Sequence, residues 1–160
     1  DVNVLGIDGS QEMINEAESR ILKNKIKNKY RNLNYLCSDI RKIKSNEIFP
    51  RKEITLLVSN SFLHHIEDID NFLKFIINLS SKETINFHKD LVRPKDEETA
   101  LKLKDICSQK YSRILTHDYY ASLKASYRKN EIQEKLLEFN FKSMNVIEDS
   151  KEYLIMYGKV

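Results

Sequence analysis

The sequence predicts an α/β fold, with a mostly parallel sheet, flanking helices and an antiparallel C-terminal hairpin. Three observations support this prediction. Short apolar, β-branched runs alternate with amphipathic helical segments, which is the pattern of parallel strands joined by crossover helices. Two of these runs stop at an aspartate, Asp8 and Asp39. The last two strand-like runs, residues 141–147 and 153–157, are separated by a short polar stretch, which indicates a hairpin.

Length and composition limit the classes of protein to consider. The 160 residues fit one domain, and 41% hydrophobic residues are enough to form a core. A net charge of +3 does not by itself indicate nucleic-acid binding. Cys37 and Cys107 lie far apart, which indicates a reducing, cytoplasmic setting and no metal framework. No apolar run is long enough to span a membrane, and the 3 glycines form no phosphate-binding loop.

The first unit of the chain is a strand followed by a helix. Residues 2–7 form an apolar run that stops at Asp8 and Gly9, and Ser10 is a suitable N-cap for a helix that carries Met13 on its apolar face. A carboxylate at the carboxyl end of a parallel strand sits where open α/β sheets bind ligands, and there it can accept both hydroxyls of a ribose. A loop aspartate beside a helix cap would give the same pattern, so both interpretations are open.

A basic segment and a second strand follow the first helix. Residues 23–31 are rich in lysine and complement the dipole of a helix C-terminus. They could contact nucleic acid, but a solvated face is the simpler interpretation. Residues 33–37 predict a short strand that stops before Asp39 and Ile40, and residues 43–50 predict a loop that ends at a proline.

The most strand-like run of the chain is residues 54–58, which we expect to be buried on both faces. It leads into the polar residues 59–61 and the pair His64 and His65. Adjacent histidines point in different directions on a regular element, so the sequence predicts no metal site. A general base and a helix start packed against the sheet edge are both open for these histidines.

The chain then continues with a helix, a strand and an extended segment. The helix is amphipathic, and either Asp68 or Asp70 caps it. Residues 84–87 predict the next strand, which ends near residues 88–90. Arg93 lies in the extended segment before a proline, where it either binds an acidic substrate group or forms a salt bridge.

Three further helices precede the hairpin. Residues 96–98 open the first of them, with Ile106 facing inward, residues 117–127 form an aromatic second helix, and Asn130 caps the third. Within the aromatic helix, two roles are open for Tyr119 and Tyr120, namely stacking on a planar substrate and packing in the core.

Polar residues therefore follow three predicted strands at one sheet edge, at Asp8, Asp39 and residues 59–61. With Gly-Ile-Asp-Gly-Ser at residues 6–10, Ser-Asp-Ile at 38–40 and Phe-Leu-His-His-Ile at 62–66, the sequence resembles the class I S-adenosylmethionine-dependent methyltransferases. The resemblance covers nearly the whole chain. It implies a three-layer α/β/α, Rossmann-like fold in a single domain, residues 1–160, with S-adenosylmethionine as cofactor.

The resemblance also implies roles for individual residues. Asp8 would hold the ribose hydroxyls, and Asn60 would lie beside the methionine portion of the cofactor. The adenine would be bound by Gly9, Met13, Asp39 and Ile40. The acceptor-side candidates are His64, His65, Arg93, Tyr119 and Tyr120. No catalytic residue is assigned, because methyl transfer from a sulfonium by direct displacement depends mainly on alignment and the exclusion of water.

One departure from the family pattern is large. The family's first strand and glycine-rich loop are lacking and would lie upstream of Asp1, so we expect the chain to be the C-terminal portion of a longer enzyme. Without that strand, we expect either direct pairing of the strands on its two sides or a split sheet. The methyl acceptor is of unknown class, with nucleic acid possible but not indicated, and no metal or membrane partner is expected.

Two other functions fit parts of the pattern. A nicotinamide-dependent dehydrogenase also ends its second strand in a ribose-binding carboxylate, although Asp39 and the closing hairpin argue against it. A degenerate methyltransferase-like scaffold or RNA-binding subunit would explain the lack of a glycine loop, although it has no need of Asp8 and Asp39.

Overall fold

The computed structural model describes residues 2–23, 32–44, 48 and 54–160, and it divides the chain into two compact units, Asp1–Ile48 and Phe49–Val160. Each unit has its own sheet. The basic segment from residue 24 to 31, and residues 45–47 and 49–50 of the predicted loop, lie outside the described residues.

The first unit is a β-α-β arrangement. Its elements are β1, Val4–Asp8; α1, Gln11–Lys23; β2, Leu33–Cys37; and a 3-10 turn, Ile40–Lys42. The two strands pair in parallel, with Asp8 opposite Cys37, and α1 packs against both. Ser10 caps α1 as predicted, because its Oγ accepts from the backbone N–H of Met13 at 3.3 Å. The carboxyl ends of both strands therefore meet at one edge.

The second unit is a mixed sheet covered by helices. Its elements are β3, Leu56–Asn60; a 3-10 turn, Leu63–His65; α2, Ile69–Leu79; β4, Ile85–Leu91; α3, Glu97–Ser108; α4, Arg113–Ala125; α5, Lys129–Glu138; β5, Ser143–Glu148; and β6, Tyr153–Lys159. The strand order is β3-β4-β6-β5. The first pair is parallel and the other two are antiparallel. The predicted C-terminal hairpin is confirmed, and the described strands form two sheets rather than one.

Helix α2 forms one side of the core of the second unit. Asp68 caps it by accepting from the backbone N–H of Asp70 at 3.0 Å, which selects one of the two predicted caps. Its buried residues recur at helical spacing, because one stripe of the helix faces the core. They are Ile69, Phe72, Leu73, Phe75, Ile76 and Leu79.

Strand β3 differs from the prediction in position and in burial. It begins at Leu56, two residues later than predicted, and Leu56 and Val58 are 55% and 56% exposed. The expectation that this run is buried on both faces is wrong. A continuous apolar run is typical of a strand covered on both sides, but β3 lies at one edge of the sheet that the described strands form.

Strand β4 is longer than predicted and carries polar residues into the core. It continues to Leu91, so residues 88–90 lie inside the strand rather than beyond its end. Side chains alternate across a strand, and Asn86, His88 and Asp90 all fall on the buried face, at 0%, 3% and 3% exposure. The sequence pattern misplaces this strand end because polar residues after an apolar run are typical of a solvated loop.

Three details of the later helices also differ. Ile106 is 53% exposed rather than inward-facing. Helix α4 begins at Arg113 rather than at residue 117, because the side chain of Ser112 caps it. Helix α5 begins before Asn130, after Arg128, whose backbone N–H donates to the Glu131 carboxylate at 2.9 Å. That return contact from the third helical residue fixes the helix start earlier than the predicted asparagine cap.

Candidate functional site

The carboxyl edge of the β1–β2 sheet holds the two aspartates that are predicted to bind a nucleoside. Asp8 is the last residue of β1, and its backbone oxygen accepts from the N–H of Ser38 at 2.9 Å. Asp39 comes next in the chain, two residues after the end of β2. Within the first unit, two aspartates therefore follow neighbouring parallel strands, which is the arrangement that the sequence predicts.

Asp8 has one carboxylate oxygen engaged by the protein. Its Oδ1 accepts from the backbone N–H of Ser10 at 2.8 Å, which holds the side chain in the turn between β1 and α1. No hydrogen bond from the described residues reaches its other carboxylate oxygen. Asp8 thus has an oriented acceptor at the strand end with capacity for a further donor.

The Asp39 carboxylate accepts more hydrogen bonds from the protein than the Asp8 carboxylate does. Its carboxylate accepts from Arg41 at 3.0 Å through Nε and at 2.5 Å through Nη2, and also from the Arg41 backbone N–H at 2.9 Å. The Arg41 hydrogen bonds lower the pKa of Asp39 to about 2. The carboxylate is therefore ionised, and a ligand amino group would share it with the guanidinium. Ile40 opens the 3-10 turn that Asp39 caps.

Gly9, the residue after Asp8, has open space around it, and Met13 is an exposed residue. A Cβ added to Gly9 would meet nothing within 4 Å, whereas one added to Gly6 would run into the ring of Tyr35 on β2. Gly6 is therefore required by packing within the sheet, but Gly9 is not. Met13 is 57% exposed on the first turn of α1.

Cys37 is a residue of this edge to which the sequence motifs give no role. Its thiol is exposed and lies 3.7 Å from the backbone oxygen of Gly9. The signal that could have found it is the strand register, because Cys37 pairs directly with Asp8. Its position makes it a chemical reporter for any ligand that covers Asp8.

In the second unit, the loop after β3 is held in a specific conformation. Asn60 ends β3 and is exposed. Ser61 adopts a left-handed backbone with a φ of 51°, and its N–H donates to the Lys89 carbonyl at 2.9 Å. A serine in this region of φ costs energy that surrounding contacts must offset. The loop then enters the 3-10 turn Leu63–His65.

Asp90 supplies those contacts from the neighbouring strand. Its Oδ2 accepts from the backbone N–H groups of Phe62 and Leu63 at 2.7 and 2.5 Å. Its Oδ1 contacts the His64 Nδ1 at 2.6 Å and accepts from the Leu91 N–H at 2.7 Å. The His64 and Asp90 side chains are 6% and 4% exposed. A buried carboxylate therefore fixes both the backbone and one imidazole of this loop.

His64, His65 and Arg93 line one cavity of about 680 Å³ in the second unit. Arg93 forms an ion pair with Glu131, which also lines this cavity. Tyr127, to which the sequence motifs assign no site, donates to the backbone oxygens of Ile66 and Glu67 at 2.7 and 3.1 Å. Burial raises the pKa of Tyr127, so it stays a donor. Three of the five predicted acceptor-side residues, His64, His65 and Arg93, thus line the same cavity.

The two other acceptor-side candidates lie elsewhere. Tyr119 donates to the Glu152 carboxylate at 2.6 Å, and Tyr120 donates to Glu97 at the start of α3. Burial raises the pKa of Tyr119, and the hydrogen bond to Glu97 raises that of Tyr120. Neither residue lines the cavity. Their role toward an acceptor stays a prediction.

Among the described residues, no group of three or more histidine, cysteine, aspartate or glutamate side chains is placed to hold a metal ion. No helix in this part of the chain is both long and apolar enough to cross a membrane.

The first unit places aspartates at the ends of two neighbouring parallel strands, and the family of the chain follows from its sequence. The family model described as "Methyltransferase domain" matches residues 2–83, which is more than half of the 160 residues. The chain belongs to this methyltransferase domain family. The predicted resemblance is confirmed at this level.

Solved methyltransferase structures share the fold. The plantazolicin methyltransferase BpumL, in complex with a triazolic desmethylPZN analog and SAH, is similar with a TM-score of 0.69 and 16% identity, over 99% of this chain and 67% of that one. A SAM-dependent methyltransferase from Aquifex aeolicus is similar with a TM-score of 0.63 and 18% identity, over 98% and 68%. The DhpI–SAM–HEP complex has a TM-score of 0.61 and 18% identity, over 99% and 68%.

These likenesses confirm the predicted α/β class and methyltransferase fold. The chain spans about two thirds of the length of the structures that it matches. No curated protein sequence matches it.

Proposed function

We propose that the protein binds S-adenosylmethionine and transfers its methyl group to an acceptor by direct displacement. The observation that carries the proposal is the pair Asp8 and Asp39, which follow two neighbouring parallel strands of the first unit. Membership of the methyltransferase domain family and the cofactor-bound state of structures with the same fold, such as BpumL with SAH, support it.

In this proposal, Asp8 receives the ribose hydroxyls. Its Oδ1 is already oriented by Ser10, so the other oxygen has a set direction and capacity for a donor. A ribose offers two adjacent hydroxyl donors, which a carboxylate at a strand end can accept. Gly9 leaves open space at the same turn, which suits the close approach of a ligand to the backbone.

The adenine side of the proposal uses Met13, Asp39 and Ile40. Met13 offers an exposed, polarizable thioether for a planar base. Asp39 offers an ionised acceptor for the amino group, shared with Arg41. The place of Asn60 beside the methionine portion, and the organisation of residues 1–160 as a single domain, stay predictions.

S-adenosylmethionine supplies a methyl group on a sulfonium, whose leaving group is a neutral thioether. The protein then contributes alignment and the exclusion of water rather than strong acid catalysis. We assign the acceptor side to the cavity of the second unit that His64, His65 and Arg93 line. The methylated acceptor leaves to solvent, and S-adenosylhomocysteine is the second product.

Calorimetric titration with S-adenosylhomocysteine tests the cofactor half of the proposal. We expect the parent chain to bind and Asp8→Ala to bind at least about tenfold more weakly, because a charge-assisted hydrogen bond contributes about 1.5–3 kcal/mol. Asp118→Ala is the matched control, since Asp118 is an exposed aspartate of α4 with a side chain 66% exposed. Equal affinities of the parent and Asp8→Ala would contradict the assignment of Asp8.

Alkylation of the two cysteines gives an independent readout. We expect S-adenosylhomocysteine to slow the alkylation of Cys37, which lies beside Gly9, and to leave Cys107 of α3 unaffected. Titration with NAD is the companion measurement. A folded chain that binds NAD and not S-adenosylhomocysteine would overturn the proposal in favour of a dehydrogenase.

A further inference from the structure

Asp90 is a charged residue on the buried face of β4, and its hydrogen bonds are unusually complete. Its two oxygens contact four groups, namely the N–H groups of Phe62, Leu63 and Leu91 and the Nδ1 of His64, all at 2.5–2.7 Å. An ionised carboxylate has about four lone-pair positions, and it is acceptor-only. Three backbone donors leave one position for the imidazole.

The partners of Asp90 fix the position of the proton on His64. Because the carboxylate accepts, Nδ1 of His64 is the donor of their hydrogen bond. In a neutral imidazole the proton is then on Nδ1, and Nε2 carries the lone pair. No hydrogen bond from the described residues reaches this Nε2, and His64 lines the cavity of the second unit. The pair thus leaves the Nε2 lone pair without a hydrogen bond from the described residues, on a side chain that belongs to the lining of the cavity.

Several further contacts hold this imidazole in one orientation. The ring of His65 lies 4.1 Å from that of His64 between centroids, at 42°. Tyr127 holds the backbone that follows, at Ile66 and Glu67. The titratable and charged groups of the cavity, besides the two histidines, are Glu67, Arg93, Tyr127, Glu131, Glu134, Lys135 and Glu138. Two of the four glutamates have cationic partners, Glu131 with Arg93 and Glu138 with Lys135.

We propose that His64 is the general base of the methyl transfer, that Asp90 is its positioning residue, and that the acceptor is an amine or hydroxyl that still carries its proton at neutral pH. This inference rests on the proposed function and names the acceptor class of the same site. A thioether or carboxylate acceptor has no proton to lose and gains nothing from a base, whereas an N–H or O–H nucleophile does.

The step balances with groups that the proposal names. The acceptor nitrogen or oxygen forms a bond to the methyl carbon as the carbon–sulfur bond breaks, and that electron pair stays on sulfur as the neutral thioether. The proton of the acceptor moves to Nε2 of His64, which becomes an imidazolium beside the Asp90 carboxylate. Solvent then removes the proton and restores the base.

Nitrogen NMR of the imidazole tests the positioning half without any substrate. In the ¹⁵N-labelled full chain at pH 8, we expect Nδ1 of His64 to carry the proton and Nε2 to show the shift of an unprotonated nitrogen. In Asp90→Asn the charged partner is lost, and we expect the proton to distribute over both nitrogens. A wild-type His64 with its proton on Nε2 would overturn the inference.

Methyl transfer to small probes tests the catalytic half. The probes are benzylamine, a phenol, thiophenol and benzoate with S-adenosylmethionine, and the readout is S-adenosylhomocysteine formed. We expect turnover of the amine or phenol and a kcat about 10²–10⁴-fold lower in His64→Gln, with KM little changed. Exposed His117→Gln is the matched control. Added imidazole should partly restore activity in His64→Gly, which a merely structural histidine would not show.

The outcomes separate this inference from the proposed function. A chain that binds no S-adenosylhomocysteine refutes the proposed function and this inference together. A chain that binds it but methylates only thiophenol or benzoate, or none of the probes, refutes the acceptor class alone. If His64→Gln lowers the melting temperature but keeps the wild-type kcat and pH profile on the amine or phenol, the pair is a structural anchor and not a base.

Discussion

His88 should make the stability of the protein depend on pH between about 4 and 6.5. The residue is 3% exposed on the core face of β4, with its Nδ1 2.9 Å from the Ser59 hydroxyl and its ring edge-on to Phe72 at 5.0 Å. Its Nε2 is buried and has no hydrogen-bond partner among the described residues. Burial lowers the pKa of His88 from 6.5 to about 4, because a charge there would lose its hydration.

The direction and the size of this pH dependence follow from the difference in proton binding between the folded and the unfolded chain. Between pH 6.5 and 4, the unfolded chain binds a proton at His88 that the folded chain does not, so the free energy of unfolding falls as the pH falls. A pH of 5 lies about 1.5 units below the ordinary pKa that His88 has in the unfolded chain. Each unit changes the free energy of unfolding by about 1.36 kcal/mol. The loss attributable to His88 is therefore about 2 kcal/mol between pH 7 and pH 5.

Urea denaturation followed by circular dichroism at both pH values measures this loss. His88→Asn should be less stable than the wild type at pH 7. Its free energy of unfolding should, however, drop between pH 7 and pH 5 by about 2 kcal/mol less than that of the wild type. Exposed His117→Asn is the matched control and should keep the wild-type drop. Equal drops in all three proteins would refute the reasoning, because the other titrating groups contribute equally to each.

Four further predictions concern stability, and the same denaturation measures the change in the free energy of unfolding for each variant. Leu73→Ala should cost about 2–5 kcal/mol because Leu73 is fully buried, whereas Leu137→Ala, at a residue 79% exposed, should cost under about 0.5 kcal/mol. Asp96→Ala should cost about 0.5–2 kcal/mol by removing the cap of α3, and a change below the error of the measurement would contradict this. Gly158→Ala should unfold or severely destabilise the chain, because Gly158 has a φ of +140° and a Cβ there would meet the backbone of β5. Gly9→Ala should leave stability nearly unchanged, and its effect should appear only in cofactor affinity.

Local chemistry makes part of the site predictable. The turn from β1 to α1 is specified by an apolar run, an aspartate and a serine cap within a few residues, so the sequence alone places Asp8 at a strand end. The same holds for Asp39, because the sequence predicts the preceding strand with its observed bounds. The engagement of Asp39 by Arg41 is not predictable in this way, because spacing alone does not say which rotamer a nearby arginine adopts.

The sequence by itself determined the α/β class, the family, the C-terminal hairpin and the caps of several helices, because these depend on periodicity and on residues close in the chain. Only the tertiary structure decided what Asp90 does. It lies on a buried strand face 26–28 residues from the groups of the β3 loop that it holds, and a polar run at the end of an apolar one is typical of a loop until those partners are in place. A buried charge is tolerated only where donors converge on it, and convergence of distant backbone groups is a property of the fold rather than of any local segment.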